Sequence, residues 1–259
     1  MNSKISFQDV VKTFPLKGAE FTALDRVSLE VADQEFVTVV GPSGCGKSTL
    51  LSMAAGLQDP TCGRVLVDGT PVTGPGPDRG VIFQQYALFP WLTVRQNVEF
   101  GLKLAAVPTQ ERRHRADQAI GLVGLDDFAD ALPKALSGGM KQRCAIARAY
   151  AVDPQVLLMD EPFGALDALT RVQLQDQLLA TWSREKRTVL FITHDVDEAV
   201  YLASRVVVMA ARPGRIHRII DVDLPYPRTE EIRLSADFRQ IRNTVWTAVY
   251  HQEHAAPAA

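Results

Sequence analysis

The segment Gly41-Pro-Ser-Gly-Cys-Gly46-Lys47-Ser48 constrains this chain more than any other, because it fits GxxxxGK[ST] in full. A loop of this kind wraps successive backbone N–H groups around a phosphate and aims the dipole of the following helix at it. Its glycines let the backbone come close and adopt positive φ. A mere glycine-rich turn would not need a strand before it and a helix after it, and both are legible here. Phe36–Val40 is an unbroken apolar run that stops at the turn, as a buried strand does. Lys47–Ala55 has helical apolar spacing at Leu50, Leu51, Met53 and Ala54. The motif implies that Gly41, Pro42, Ser43, Gly44, Cys45 and Gly46 line the phosphates. Lys47 would bridge the β- and γ-phosphates, Ser48 would ligate Mg²⁺, and Thr49 would donate to the α-phosphate.

The rest of the chain alternates strands with helices. Ile5–Phe7, Ser28–Val31 and Arg64–Asp68 read as short strands of an antiparallel sheet in the N-terminal third. Val156–Met159, Val189–Ile192 and Val206–Met209 are short buried runs rich in β-branched residues. Such alternation argues for a largely parallel sheet covered on both faces. From about Leu88 to Val152 the strand signal disappears, and Asn97–Leu104, Gln110–Val123 and Gly138–Val152 read as helices. After Asp221, Pro225 and Pro227 precede an amphipathic segment at Ala236–Tyr250, and only the final Ala-Ala-Pro-Ala-Ala reads as disordered. The expected fold is α/β: a P-loop NTPase core with a mainly parallel sheet, an N-terminal antiparallel β subdomain and a helical insertion. The expected boundaries are one domain over 1–220, its helical subdomain at about 88–152, and an extension over 221–259 with one amphipathic helix.

Composition narrows the function by exclusion. A net charge of -2 offers none of the basic surplus with which nucleic-acid-binding domains announce themselves, so no nucleic-acid partner is expected. The three cysteines, Cys45, Cys62 and Cys144, lack CxxC or metal-ligand spacing and read as reduced cytosolic thiols. The N-terminus has no secretory pattern, and no run approaches the roughly 18 apolar residues needed to span a bilayer. A membrane role would have to be borrowed from a partner. Cys45 stands two residues before Lys47 at a helix N-terminus, a setting that favours a thiolate, so it is expected to react with maleimide.

Two further sites sit at strand ends. The run Val156–Met159 leads into Asp160-Glu161, and the carboxyl ends of strands in open α/β sheets are where ligands bind. Asp160 would hold the Mg²⁺ shell, and Glu161 could act as general base on a water in line with the γ-phosphate. His194 ends the run Thr188–Thr193, where its imidazole could hold the terminal phosphate or the attacking water.

With the phosphate loop, these features place the chain among P-loop ATPases. Leu136-Ser137-Gly138-Gly139-Met140-Lys141-Gln142-Arg143 resembles the LSGGQ signature of ATP-binding-cassette proteins, with methionine in place of glutamine. The resemblance covers nearly the whole chain. Phe14 matches the aromatic that stacks on adenine, Gln84 the glutamine of the Q-loop, Gly164-Ala165-Leu166-Asp167 the D-loop, and His194 the switch histidine. By resemblance, Ser137, Gly138 and Gly139 cradle the γ-phosphate of ATP held by a second copy of the chain, giving a head-to-tail dimer with two ATP molecules. Asp167 would connect the two sites, and Gln84 would sense Mg²⁺.

The same resemblance implies an ATPase at the cytoplasmic face of the plasma membrane, driving import through transmembrane permease subunits supplied by an extracytoplasmic solute-binding protein. The apolar stretch Tyr86–Val94 would receive a helix of the permease, although it would also serve as a turn packed into the helical insertion. The runs Gly74–Gln84, Leu88–Val94 and Ala211–Ile216, and the tail around Leu224-Pro225, resemble the nitrate, sulfonate and taurine importers. Bicarbonate, cyanate, riboflavin or pyrimidine-precursor transport would fit the same sequence. A soluble cassette ATPase with a non-transport role is the alternative, without the long coiled coils or tandem cassettes usual there. A regulatory module without turnover would not need Glu161 and His194.

Overall fold

The structure, a computed structural model, describes residues 3–16, 18–164 and 166–250. In chain order the elements are β1 (Ser3–Leu16), β2 (Ala19–Ala32), β3 (Phe36–Val40), α1 (Lys47–Ala54), β4 (Cys62–Val67), β5 (Thr70–Pro71) and β6 (Arg79–Ile82). Next come α2 (Val94–Leu104), α3 (Thr109–Leu122), α4 (Gly138–Ala151), β7 (Val156–Asp160), α5 (Ala168–Glu185) and β8 (Thr188–Ile192). The chain ends with α6 (Val196–Leu202), β9 (Arg205–Ala210), β10 (Arg215–Asp221), α7 (Glu230–Leu234) and α8 (Ala236–Tyr250). Two units separate: Met1–Gly76 with Leu179–Ala259, and Pro77–Leu178. The expected disordered end, residues 255–259, and Ala165 of the D-loop lie outside the described residues.

In the first unit β3 pairs in parallel with both β8 and β9, and β10 adds an antiparallel edge to β9. Every residue of β3 and β8 is buried, which is why both read as continuous apolar runs rather than alternating ones. The ring of Phe36 packs between Trp182 and Phe191 at centroid distances of 5.8 and 6.0 Å. The antiparallel sheet runs β2-β1-β4-β5. Its first two strands are 14 residues each, far longer than the segments expected at Ile5–Phe7 and Ser28–Val31. Their outer halves pair, Thr13 with Thr22 and Phe14 with Phe21, but are mostly only half-buried or exposed, so they carry no apolar run to betray a strand. β10 escapes notice for the same reason: among its residues only Ile220 is buried.

In the second unit β6 and β7 pair in parallel, Ile82 opposite Met159. β6 is a four-residue strand containing Gly80, a pattern that signals a turn. Its glycine is needed because a Cβ there would lie 2.7 Å from Pro154 Cγ. The helices α2, α3 and α4 pack on one another, and Val94, Val98, Leu102, Ala116, Ile120 and Ala145 on them are buried. α2 begins three residues before the expected Asn97, because Thr93 and Gln96 form a reciprocal capping box. Among the described residues, no helix is long and apolar enough to cross a membrane.

Candidate active site

On the first unit the phosphate-loop sequence follows the buried β3 and opens α1. Lys47 is buried, and its ammonium donates to the carbonyls of Gly41 at 2.8 Å and Pro42 at 3.2 Å. The loop thus folds around its own lysine. Gly44, at φ +78°, faces open space where a Cβ would meet nothing within 4 Å. Behind the loop there is no such room: a Cβ on Gly46 (φ +91°) would meet Leu24 Cδ2 at 2.5 Å, and one on Gly214 would meet the Cys45 carbonyl oxygen at 2.2 Å. Backbone bonds from Gly214 to Ala23 (3.0 Å) and from Asp25 to Gly214 (2.9 Å) tie these segments together. Ser48 is exposed and Thr49 half-buried at the start of α1.

Cys45 corrects the expectation of a reactive thiolate. Its side chain is fully buried, and that burial raises the thiol pKa more than the nearby Lys47 ammonium, at 3.8 Å, lowers it. The sequence shows the helix start and the lysine but not the depth of the loop's rear wall.

His194 is exposed at the carboxyl end of β8. Because Val39 stands opposite Ile192 in a parallel pair, the phosphate loop and His194 leave the sheet at the same edge. The Thr193 amide donates to the Val39 carbonyl at 3.2 Å, extending that pairing to the residue before the histidine.

The second unit groups Gln84, Asp160 and Glu161. β6 and β7 are parallel and in register, so Gln84 and the acidic pair also emerge at one edge. Gln84 Nε2 donates to Glu161 Oε2 at 3.2 Å. Glu161 adopts φ +46°, a left-handed conformation uncommon for a residue with a side chain and often retained at functional sites.

The signature segment Ser137-Gly138-Gly139 opens α4. Ser137 is its N-cap, its hydroxyl accepting from Met140 N at 3.3 Å. The two glycines meet close neighbours: a Cβ on Gly138 would lie 3.0 Å from Tyr86 Oη, and one on Gly139 3.1 Å from Leu166 Cδ2. Asp167, exposed, accepts from the Thr170 amide at 3.0 Å, and that bond holds its carboxyl below the usual range. Ser137, Gly138 and Asp167 all face solvent.

Phe14 lies half-buried on the outer part of β1, outside the core, with the Lys12 ammonium 5.2 Å from its ring centroid. Two residues escaped the sequence reading. Asn97, fully buried, accepts from Phe89 N at 2.8 Å and donates to the carbonyls of Phe89 (3.2 Å), Leu92 (2.9 Å) and Thr93 (3.0 Å). Arg148 donates to the carbonyls of Ala87 at 2.6 Å and Tyr86 at 3.4 Å. Together they fix the loop from Tyr86 to Thr93, whose Trp91 is 71% exposed. A polar residue on the apolar stripe of Val94, Val98 and Leu102 was the signal for Asn97.

Ser48, Gln84 and Asp160 offer a hydroxyl, an amide oxygen and a carboxylate, the oxygen donors that Mg²⁺ takes alongside phosphates. The open face at Gly44 matches the need for backbone to approach a phosphate. By chemical type these side chains suit the ion, and the loop suits a phosphate.

A family model for ABC transporters matches residues 24–164. The chain is 71% identical, over 98% of its length and 96% of the relative's, to a Brucella abortus protein named as an ATP-binding protein. It is 52% identical to a nitrate import ATP-binding protein of Synechocystis sp., over 85% of this chain and 83% of that one. It is 46% identical to an aliphatic sulfonates import ATP-binding protein of Bacillus cereus, over 93% of this chain and 94% of that one. A solved dimeric ATP-binding cassette, in a post-hydrolysis state with ADP and Pi, superposes with a TM-score of 0.79 at 33% identity, covering 85% of this chain and all of that one.

Proposed function

From the premise that the chain belongs to the ABC transporter family as an ATP-binding ATPase, we propose that it powers uptake of a small oxyanion, nitrate or an organic sulfonate, through separate membrane permease subunits. The observation that carries the catalytic part is the paired edge of β3 and β8, from which the phosphate loop and His194 leave side by side. The solute class rests on the names of the nitrate and sulfonate relatives.

In this reading the backbone of Gly41 to Gly46 cradles the phosphates, Lys47 turns from its loop carbonyls to the β- and γ-phosphates, and Phe14 stacks on adenine. Thr49 donates to the α-phosphate. Ser48, Gln84 and Asp160 would hold Mg²⁺, which when bound would supply charge neutralisation on the phosphate oxygens. Glu161 takes the proton of a water placed in line with the γ-phosphate, and His194 holds the γ-phosphate or that water. Two copies meet head-to-tail, each lending Ser137, Gly138 and Gly139 to the ATP of the other, with Asp167 at the junction. The exposed loop around Trp91 receives the permease, and the complex sits at the cytoplasmic face of the membrane, where a solute-binding protein delivers from the other side.

The test is reconstitution of the chain with permease subunits and a binding protein of the nitrate or sulfonate import class. ATP turnover in proteoliposomes should rise with nitrate or an alkanesulfonate and stay at its basal level with an uncharged solute. Turnover indifferent to every solute, in a chain that retains no membrane protein on purification, would place it with the soluble cassette ATPases.

A further inference from the structure

We propose that Arg228 and Tyr226 are positioning residues for His194, acting through α6; this rests on the reading that His194 meets the γ-phosphate. α6 begins two residues after His194 and is only seven residues long, too short to hold its own direction without outside support. Its start is fixed locally. The Asp195 carboxylate accepts from Glu198 N at 3.1 Å, and Asp195 N donates to Thr193 Oγ1 at 3.0 Å.

Its far end is held by the tail segment at 226–228. Arg228 Nη1 donates to the carbonyls of Val200 at 2.7 Å and Tyr201 at 2.8 Å, and the Tyr226 hydroxyl donates to the Leu202 carbonyl at 2.9 Å. These are carbonyls of the last turn, which otherwise lack helical partners. The Tyr201 hydroxyl returns a bond to the Arg228 carbonyl at 3.0 Å. The guanidinium lies 4.2 Å from the Tyr226 ring, which packs on Trp182 at 4.9 Å.

The arrangement is a poor solution if stability were the only end. Arg228 is 5% exposed, yet its Nε and Nη2 find no acceptor among the described residues. Buried unpaired N–H groups are costly, and an apolar residue of similar volume is often as stable. An apolar residue could not grip helix carbonyls. One guanidinium nitrogen on two of them, with a hydroxyl on a third, fixes the tilt of a rod about 10 Å long whose other end follows His194 by two residues. Displacements of about 1 Å at a reacting group can cost about a hundredfold in rate.

The experiment compares full-length Arg228→Met, Arg228→Lys, Tyr226→Phe and His194→Ala, with the active fraction counted by MgATP binding. Arg228→Met should lower kcat roughly tenfold or more while KM for ATP stays within about twofold. The His194 imidazole proton resonance, assigned by its loss in His194→Ala, should move. Arg228→Lys, which can still reach a carbonyl, should restore part of both. Unchanged kcat in Arg228→Met beside an inactive His194→Ala overturns the proposal, as does a lowered kcat with the His194 resonance unmoved. Wild-type turnover in His194→Ala removes the role of His194 itself, a separate failure that takes this inference with it. If Arg228→Met does not fold, Tyr226→Phe decides, with a smaller fall in kcat and the same resonance shift expected.

Discussion

Gln84 and Glu161 are joined side chain to side chain, the amide nitrogen of one donating to the carboxylate of the other at 3.2 Å. The bond engages one carboxylate oxygen and fixes the direction of the group, while a carboxylate keeps a second oxygen through which it can take a proton. A glutamine at the end of β6 therefore restrains an acid at the end of β7 within the same parallel pair. Glu161→Gln keeps the size and leaves an oxygen for Gln84, but removes the basicity. Turnover should fall on the order of 10²–10⁴-fold while ATP still binds. Single-turnover kinetics with nucleotide-binding stoichiometry measure both, and a fall of less than about threefold would remove Glu161 from the role of base.

Ser137 offers a separate test of action across two copies. Ser137→Arg should place bulk and charge where the second copy's γ-phosphate docks, leaving ATP affinity of the single chain intact but abolishing hydrolysis. The substitution also deletes the N-cap of α4. Ser137→Ala is the control, expected to cost about 0.5–2 kcal/mol of stability. Normal turnover in Ser137→Arg would mean that the signature does not complete a site in trans.

The cysteines give a labelling order. Cys62 is exposed whereas Cys45 and Cys144 are buried. Maleimide should modify Cys62 first, with ATP binding unchanged, and reach Cys45 only after unfolding. Rapid loss of ATP binding with label mapped to Cys45 in folded protein would contradict the burial.

Burial pushes the Cys144 thiol from its ordinary 9.0 up to about 12. A folded pKa above the unfolded one means that this group costs nothing below pH 9, where both states are protonated. Between pH 9 and 12 the unfolded thiol ionises and the folded one does not, so stability falls as pH rises through that window. The slope is about 1.4 kcal/mol per pH unit for one such group. Urea unfolding of wild type and Cys144→Ala at pH 7.5 and pH 10 should show the gap between them shrinking by roughly 1 kcal/mol at the higher pH. A constant gap would show that Cys144 does not titrate differently in the two states.

Asn97→Ala removes four hydrogen bonds that pin the loop from Phe89 to Thr93. The loss should cost about 1–3 kcal/mol and be felt locally. Amide exchange at Phe89 should quicken by tenfold or more, and binding to the permease should weaken while ATP turnover of the chain alone is kept. Slow exchange at Phe89 in the variant would mean that other contacts hold the loop.

The parts of the molecule legible in the sequence are those where one signal dominates. β3 spans Phe36–Val40 as read, because a strand buried on both faces has no polar interruptions. The phosphate loop is legible because its glycines meet local demands that other residues do not, Gly44 and Gly46 by their positive φ and Gly46 also by its closeness to Leu24. What stayed hidden depends on partners far along the chain. The outer half of the β1–β2 hairpin is held by pairing rather than burial, and Asn97 is defined by the carbonyls it meets. Cys45 was misread because local charge is visible in sequence and desolvation is not.

The wall behind the phosphate loop has a thermodynamic consequence. Gly214, Ala23 and Cys45 meet main chain to main chain, with the fully buried Leu24 side chain packed beside them. Such a seam has few alternative arrangements, so the loop in front of it cannot drift far from one shape. Arriving nucleotide then has mainly the Lys47 ammonium to redirect, and little main chain to order. Association at this loop should therefore lose little conformational entropy, and its affinity should respond to changes in charge far more than to changes in chain flexibility.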